Sequence, residues 1–482
     1  MDTQHPLLPL ILDDVPPGLV RALAQEGVPF RKRTTADSEG RFVLFDSRRG
    51  PCRSLSRGQV AIDVDALRDG SRPDPMEALM DERSARHQWQ IAGLRVSEEI
   101  ATVDRRELRR QILGRLRERL EEVGGIWLCV GAFPFPYRSA VNFRIDYDQY
   151  DAEDFDATLD AVAGEESATS HFVNAAAYLG HDAALGRLRG LDVGSHGFRH
   201  HTYATETENL DNVRRGIKTL EALGFEPSGF AAPGGRFNRA LLAALEALGV
   251  GHSSEFGLAY DDLPFFPHGS NVLQIPIHPV SLGIFLETVP AEGSQHAAIQ
   301  QAVRAAIDHF RQTARSKYRA GEPVFFYGHP TGRLGRYPQV LRAFFDTANE
   351  FGAAWKTTLS EFARWWRTRA SVRLSVCRQG EQFAVTVAEK PNEYRVAIEY
   401  WHGRHVARMP LVGPVVRFSP SALAYENRGV RPDVQPVRID PAEGLRGRIR
   451  RWIDWERETP IEEIGKGSWR NWAKRALRRL RP

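Results

Sequence analysis

Cysteine is scarce in this 482-residue chain. Its three cysteines, Cys52, Cys129 and Cys377, lie far apart without metal-type spacing. That pattern argues against a disulfide framework and fits a reducing compartment. Long apolar runs are missing too, and none approaches the roughly 18 residues that a membrane-spanning helix needs. Met1–Leu12 has no Lys or Arg ahead of its short apolar run, and Asp13 and Asp14 follow at once, so it makes a poor secretory signal. These absences predict a cytoplasmic protein. Net charge is only +4, too small to indicate a partner. Repeats of solenoid period and long low-complexity linkers are lacking as well. What remains is a globular chain, 42% apolar and long enough for two to four domains.

Along the chain the pattern changes three times. Residues 1–133 read as a small α/β domain, with strands at Arg41–Phe45 and Val60–Val64 and an amphipathic helix near Val103–Val123 carrying Leu108, Ile112, Leu116 and Leu120. Its aspartates at 13, 14, 63 and 65 are expected at strand ends and caps. Pro134 and Pro136 mark a junction. Through residues 134–368, strands and helices alternate. Strands are expected at Val141–Ile145, Ser170–Val173, Leu191–Val193, Gly229–Ala232, Gly251–Glu255, Val272–Ile277, Val324–Tyr327 and Ala354–Thr358. Such alternation predicts a parallel sheet, open or closed into a barrel, with function at the strand C-terminal ends. Residues 369–437 switch to short alternating runs with turn signals, an accessory antiparallel β-domain. Residues 438–482 form a basic C-terminal segment.

Chemistry-bearing residues gather at the expected strand ends. Asp146 and Asp148 close the first strand of the alternating region, in Phe-Arg-Ile-Asp-Tyr-Asp. Two apart on a strand, both carboxylates face one side, where one can bind a metal and the other take a proton from its water. His196 and His200 follow the third strand. Four apart on a helical turn, two imidazoles can bind one ion, and a carboxylate completes a three-ligand site with room for water or substrate. Arg236 follows the fourth strand in a glycine turn, and His329 ends the seventh, well placed for acid–base work. His278, after the sixth strand, is the rival acid. Glu255, Asp261 and Asp262 follow the fifth and are candidates for contact with substrate hydroxyls.

With these motifs in hand, residues from about 139 to 368 resemble the polysaccharide deacetylases, the NodB-homology family or carbohydrate esterase family 4. The resemblance implies a deacetylase-type distorted (β/α) barrel between an N-terminal α/β domain and a C-terminal antiparallel β-domain. It implies Asp146 as catalytic base, Asp148, His196 and His200 as metal ligands, and His329 as the histidine that assists the leaving group. Tyr147 interrupts the family's usual aspartate pair, and Ala231-Ala232-Pro233-Gly234 replaces its Arg-x-Pro-Tyr motif. Both departures are similar to the branch that deformylates lipid-linked aminoarabinose, which would make Arg236 the orienting arginine. The implied reaction is hydrolysis of an N-acyl group by water on Zn²⁺ or another divalent transition metal. A backbone N–H of Gly234 or Gly235 would hold the oxyanion.

The expected partner is a saccharide, lipid-linked on the branch reading, and not nucleic acid. The tail adds a second expectation. As a helix it would align Trp469, Trp472, Ala473, Ala476 and Leu480 on one stripe, flanked by Arg470, Lys474, Arg475, Arg478 and Arg481. That suits peripheral contact with an anionic leaflet at the inner face of the membrane, and equally packing on the protein itself. Two other readings of the whole chain stand beside the hydrolase. One is a glycan-binding protein on an idle barrel; the other is an amidohydrolase acting on a non-sugar cyclic amide.

Overall fold

The computed structural model describes residues 6–34, 40–68, 70, 73–287, 295–389, 393–429 and 436–439. The basic tail lies outside them.

Eight parallel strands form the centre. They are Ser139–Tyr147, Thr169–Val173, Val193–Ser195, Gly229–Phe230, His252–Ser253, Leu273–Gln274, Val324–Gly328 and Ala354–Lys356, called the first to eighth barrel strands. Hydrogen bonding orders them sixth, fifth, fourth, third, second, first, seventh. The eighth pairs with residues 139–141 at the start of the first, on the edge that the second strand uses further along. Beyond the sixth strand, His278 N–H donates to Phe325 O at 3.0 Å, and the Tyr327 hydroxyl donates to Pro279 O at 3.1 Å. These two bonds bring the sheet's far end back to the seventh strand. The expected fold class holds: a curled parallel sheet of deacetylase-barrel type, with antiparallel sheets elsewhere.

The first strand shows why the curl is stable. All nine of its residues are buried, and they alternate in kind. Val141, Phe143, Ile145 and Tyr147 make one file, with Phe143 edge-on to Phe344 of the Pro338–Asn349 helix at 5.1 Å. Asn142, Arg144 and Asp146 make the other. Asn142 donates to Ser170 Oγ at 3.1 Å and Thr357 O at 2.9 Å, tying first, second and eighth strands together. A strand's period of two thus builds an apolar face for helices and a polar file for the interior.

Around the barrel, sheets join segments distant in sequence. The amino-terminal unit holds four parallel strands, ordered Phe30–Lys32, Leu10–Asp13, Phe42–Phe45, Val60–Asp63. Asp63 caps the turn after its strand by accepting from Asp65 N at 2.9 Å, as expected. Trp127–Val130 pairs antiparallel with Ala397–His402, and Val437–Arg438 pairs with Ser84–Ile91. The 1–133 and 369–437 segments, separate in the sequence reading, therefore share sheets. The Ser84–Ile91 and Leu94–Ala101 hairpin reaches the barrel, where its second strand packs on Phe256–Ala259.

The Arg105–Glu122 helix is buried on two sides. Ile112, Leu116 and Leu120 enter the core, and the buried arginines Arg105, Arg106 and Arg109 reach barrel residues. Arg109 pairs with Glu26 at 2.9 Å and with Asp262, and its side chain is buried. Breaking a buried pair strands its partner charge, at a cost of about 3–5 kcal/mol. Arg109→Ala should therefore lower the midpoint of urea denaturation markedly. Arg109→Met combined with Asp262→Leu should recover most of the loss.

Candidate metal centre

Asp148 follows the first barrel strand directly, held by Asn174, whose side chain donates to Asp148 O at 3.0 Å. Tyr147 points to the other face and hydrogen-bonds His171 Nδ1 at 2.9 Å. The inserted tyrosine therefore keeps Asp146 and Asp148 on one side.

His196 and His200 do not lie on a helical turn, contrary to the sequence expectation. They sit in an irregular loop after the third strand, bent at Gly197, whose φ is +84°. A Cβ there would come within 2.9 Å of Arg199 O and Asn212 Nδ2, which is why glycine occupies the position. Asn212, on the Glu206–Ala222 helix, stitches the loop. It accepts from Arg199 N at 2.7 Å and donates to Arg199 O at 3.0 Å and His201 O at 3.1 Å. The loop nonetheless brings the two imidazoles together, with ring centroids 4.8 Å apart and planes tilted by 50°. His201 turns aside, its ring against Tyr203.

The donor atoms converge. Asp148 Oδ1 lies 3.2 Å from His196 Nε2 and 3.1 Å from His200 Nε2. His196 Nδ1–H donates to Ala231 O at 2.8 Å, which turns Nε2 into the site. Asp148 Oδ1 and both Nε2 atoms are buried and face one another. Three convergent donor atoms of this kind suit a small divalent cation, and His₂-carboxylate is a zinc-type donor set. Among the described residues this is the group suited to hold a metal. Burial alone would raise the Asp148 carboxyl, but the surrounding histidines bring it well below the ordinary carboxylate range. Burial opposes charge on His200, and Asp148 overrides it, raising that imidazole.

Beside this centre stand Asp146 and His329. Asp146 Oδ2 accepts from Arg144 Nη2 at 2.6 Å, while Oδ1 has no hydrogen bond. Arg144 is itself buried, donates to Ser254 O and lies 5.0 Å from the Tyr327 ring centroid. His329 Nε2 is 3.6 Å from Asp148 Oδ2, and burial pushes its pKa down to about 4.

Other expectations fare differently. The arginine bonded to Asp146 is Arg144, which sequence reasoning passed over. Arg236 is partly exposed at the rim, 3.8 Å from Glu99 of the amino-terminal hairpin. His278 is placed elsewhere, against Asp261 at 3.2 Å and His309 at 3.0 Å. Asp261 and Asp262 are committed to Lys317 and Arg109 in buried pairs, so they are structural. Glu255 is buried, its carboxyl bonded to Ser253 and pushed up by burial to about 7. Gly235 N–H already donates to Ala232 O at 2.8 Å, which removes it as an oxyanion donor.

Neither a protein-family model nor a curated protein sequence matches this chain. Solved structures do. A protein assigned as a polysaccharide deacetylase from Mycobacterium smegmatis is similar over 51% of this chain and 96% of its own, at 17% identity and a TM-score of 0.41. A probable polysaccharide deacetylase from Pseudomonas aeruginosa PAO1 covers 49% and 94%, at 17% identity and 0.40. A family 4 acetyl xylan esterase from Clostridium thermocellum, solved with a cobalt ion, covers 47% and 91%, at 14% and 0.31. At such distances function has to be argued from the side chains of this chain.

The geometry separates ligands from base. His196→Ala or His200→Ala should lose bound metal, whereas Asp146→Asn should keep it, as read by elemental analysis of the purified variants. Asn212→Ala leaves every donor in place but frees the loop. By analogy with outer-shell partners elsewhere, metal affinity should fall about 10–100-fold in a competitive chelator titration.

Proposed function

We propose that the chain is a metal-dependent hydrolase that removes an N-acyl group, acetyl or formyl, from an amino sugar of a polysaccharide or lipid-linked saccharide. The observation that carries this reading is the convergence of Asp148, His196 and His200, with Asp146 and His329 beside them. Zn²⁺ or another divalent transition metal, held by those three residues, would polarise the amide carbonyl and lower the pKa of its water to about 7. The chain's own residues supply the remainder. Asp146, bonded to Arg144 through Oδ2 and open at Oδ1, takes the proton from the attacking water. His329 hands a proton to the departing nitrogen, which is too basic to leave as an anion. Burial, which lowers its pKa to about 4, makes its protonated form a strong donor to that nitrogen once it has received the proton taken up by Asp146.

The formyl and lipid-linked option rests on the local motif similarity, and peripheral membrane contact at the cytoplasmic face rests on the basic tail. A substrate panel tests both together with the central reading. Soluble N-acetyl oligosaccharides and a lipid-linked formamido sugar in anionic vesicles would be incubated with the protein, and released acid measured by mass spectrometry. Acid should appear, vanish on chelation and return with added metal. Metal binding and glycan binding with no acid from any substrate would instead indicate an idle, glycan-binding barrel. With cyclic ureides added to the panel, ring-opened product from those alone, seen as the gain of one water in mass, would favour the amidohydrolase alternative. His329→Ala should lower kcat by about 10²–10⁴, and less on substrates with better leaving groups. An equal loss on all substrates would contradict its assignment as the proton donor.

A further inference from the structure

A cavity lies between the strand ends of the amino-terminal unit and the barrel. The unit's four parallel strands are ordered second, first, third, fourth, so the strand order reverses between Leu10–Asp13 and Phe42–Phe45. In open parallel sheets, ligands bind in the crevice beyond the carboxyl ends of the strands at such a reversal. The cavity lies there and measures about 790 Å³, within the size range of small-molecule sites.

Three of the four strand ends contribute to it. Asp13 ends the first strand and Asp14 follows it, Lys32 ends the second and Arg33 follows it, and Arg49 and Arg53 come after the third. The Pro17–Glu26 helix begins at the same edge and carries no acid in its first turn. The opposite wall comes from the barrel, where Phe265 and Trp366 are buried behind it and Phe266 is partly exposed. One face is thus cationic and the other carries an accessible ring.

Charge is not balanced within the cavity. Five cations, with Arg21 the fifth, line it against the two aspartates. Arg33 and Arg53 share the single carboxylate of Asp13, at 3.0 and 3.1 Å, while Arg49 takes Asp14 at 3.1 Å. Arg21 is buried over the Phe265 ring, 5.1 Å from its centroid, and its Nη2 makes no hydrogen bond, with Glu82 3.8 Å away. Guanidinium groups outnumbering carboxylates suit phosphate, whose oxygens they engage in pairs. An accessible aromatic ring suits a planar ring.

We infer that this crevice is a ligand site separate from the Asp148 centre, for a phosphate-bearing small molecule with a planar ring, in chemistry a nucleoside diphosphate. None of its lining residues belongs to the metal centre.

Isothermal titration of the full chain with UDP, ADP and inorganic phosphate tests the inference. Arg49 and Arg53 are largely exposed, so their removal should spare the fold. At least one nucleotide should bind saturably and more tightly than inorganic phosphate. The Arg49→Ala, Arg53→Ala double variant should weaken it at least tenfold, and Phe266→Ala should weaken the nucleotide more than phosphate. His196→Ala should leave binding unchanged, which separates this site from the metal centre. Three results would each overturn the inference: no saturable binding of either nucleotide, binding indifferent to the double variant, or phosphate binding as tightly as the nucleotides.

Discussion

The hydrogen bond from His196 Nδ1 to Ala231 O decides what the centre of this molecule can be. With Nδ1–H committed to that carbonyl, the imidazole is fixed in orientation and turns Nε2 into the site. Nε2 meets the Asp148 carboxylate at 3.2 Å, and His200 brings another nitrogen to 3.1 Å. The barrel brings these donor atoms together from two strand ends, and Asn174 and Asn212 hold both ends in place. One carboxylate and two imidazole nitrogens converging in a buried pocket form a donor set that a divalent cation would hold in common.

The rest of the fold can be read as support for that geometry. The polar file Asn142, Arg144, Asp146 runs up the inner face of the first strand toward Asp148, each member bonded to a neighbouring strand, a loop or the next member. Outside the barrel, buried arginines of the Arg105–Glu122 helix reach Glu322, just before the seventh strand, and Asp262. The amino-terminal hairpin meets the rim through Glu99 and Arg236. The flanking sheets are thereby coupled to the wall of the candidate active site.

Much of this was legible because strands and helices carry their period in the residues. The eight barrel strands fall within a few residues of where alternation places them, and the two aspartates share a face because their spacing is two. The same argument, applied to cations, would have found Arg144, two residues before Asp146 on that face. Attention to carboxylates alone missed it. The histidine spacing was read as a helical turn, yet Gly197 at positive φ makes it a loop; only the neighbouring glycine hinted at this. Long-range pairing had no local signature at all. Nothing in Trp127–Val130 announces a partner at Ala397–His402, and the acids after the fifth strand could not reveal that Asp261 and Asp262 would be consumed by Lys317 and Arg109.

The central claim is that Asp148, His196 and His200 hold one divalent metal ion. X-ray absorption spectroscopy of the zinc- or cobalt-loaded protein tests it most directly. The account predicts a shell of nitrogen and oxygen ligands at about 2.0–2.2 Å, with outer scattering from two imidazoles and no sulfur. A sulfur ligand, or a shell without imidazole scattering, would contradict it.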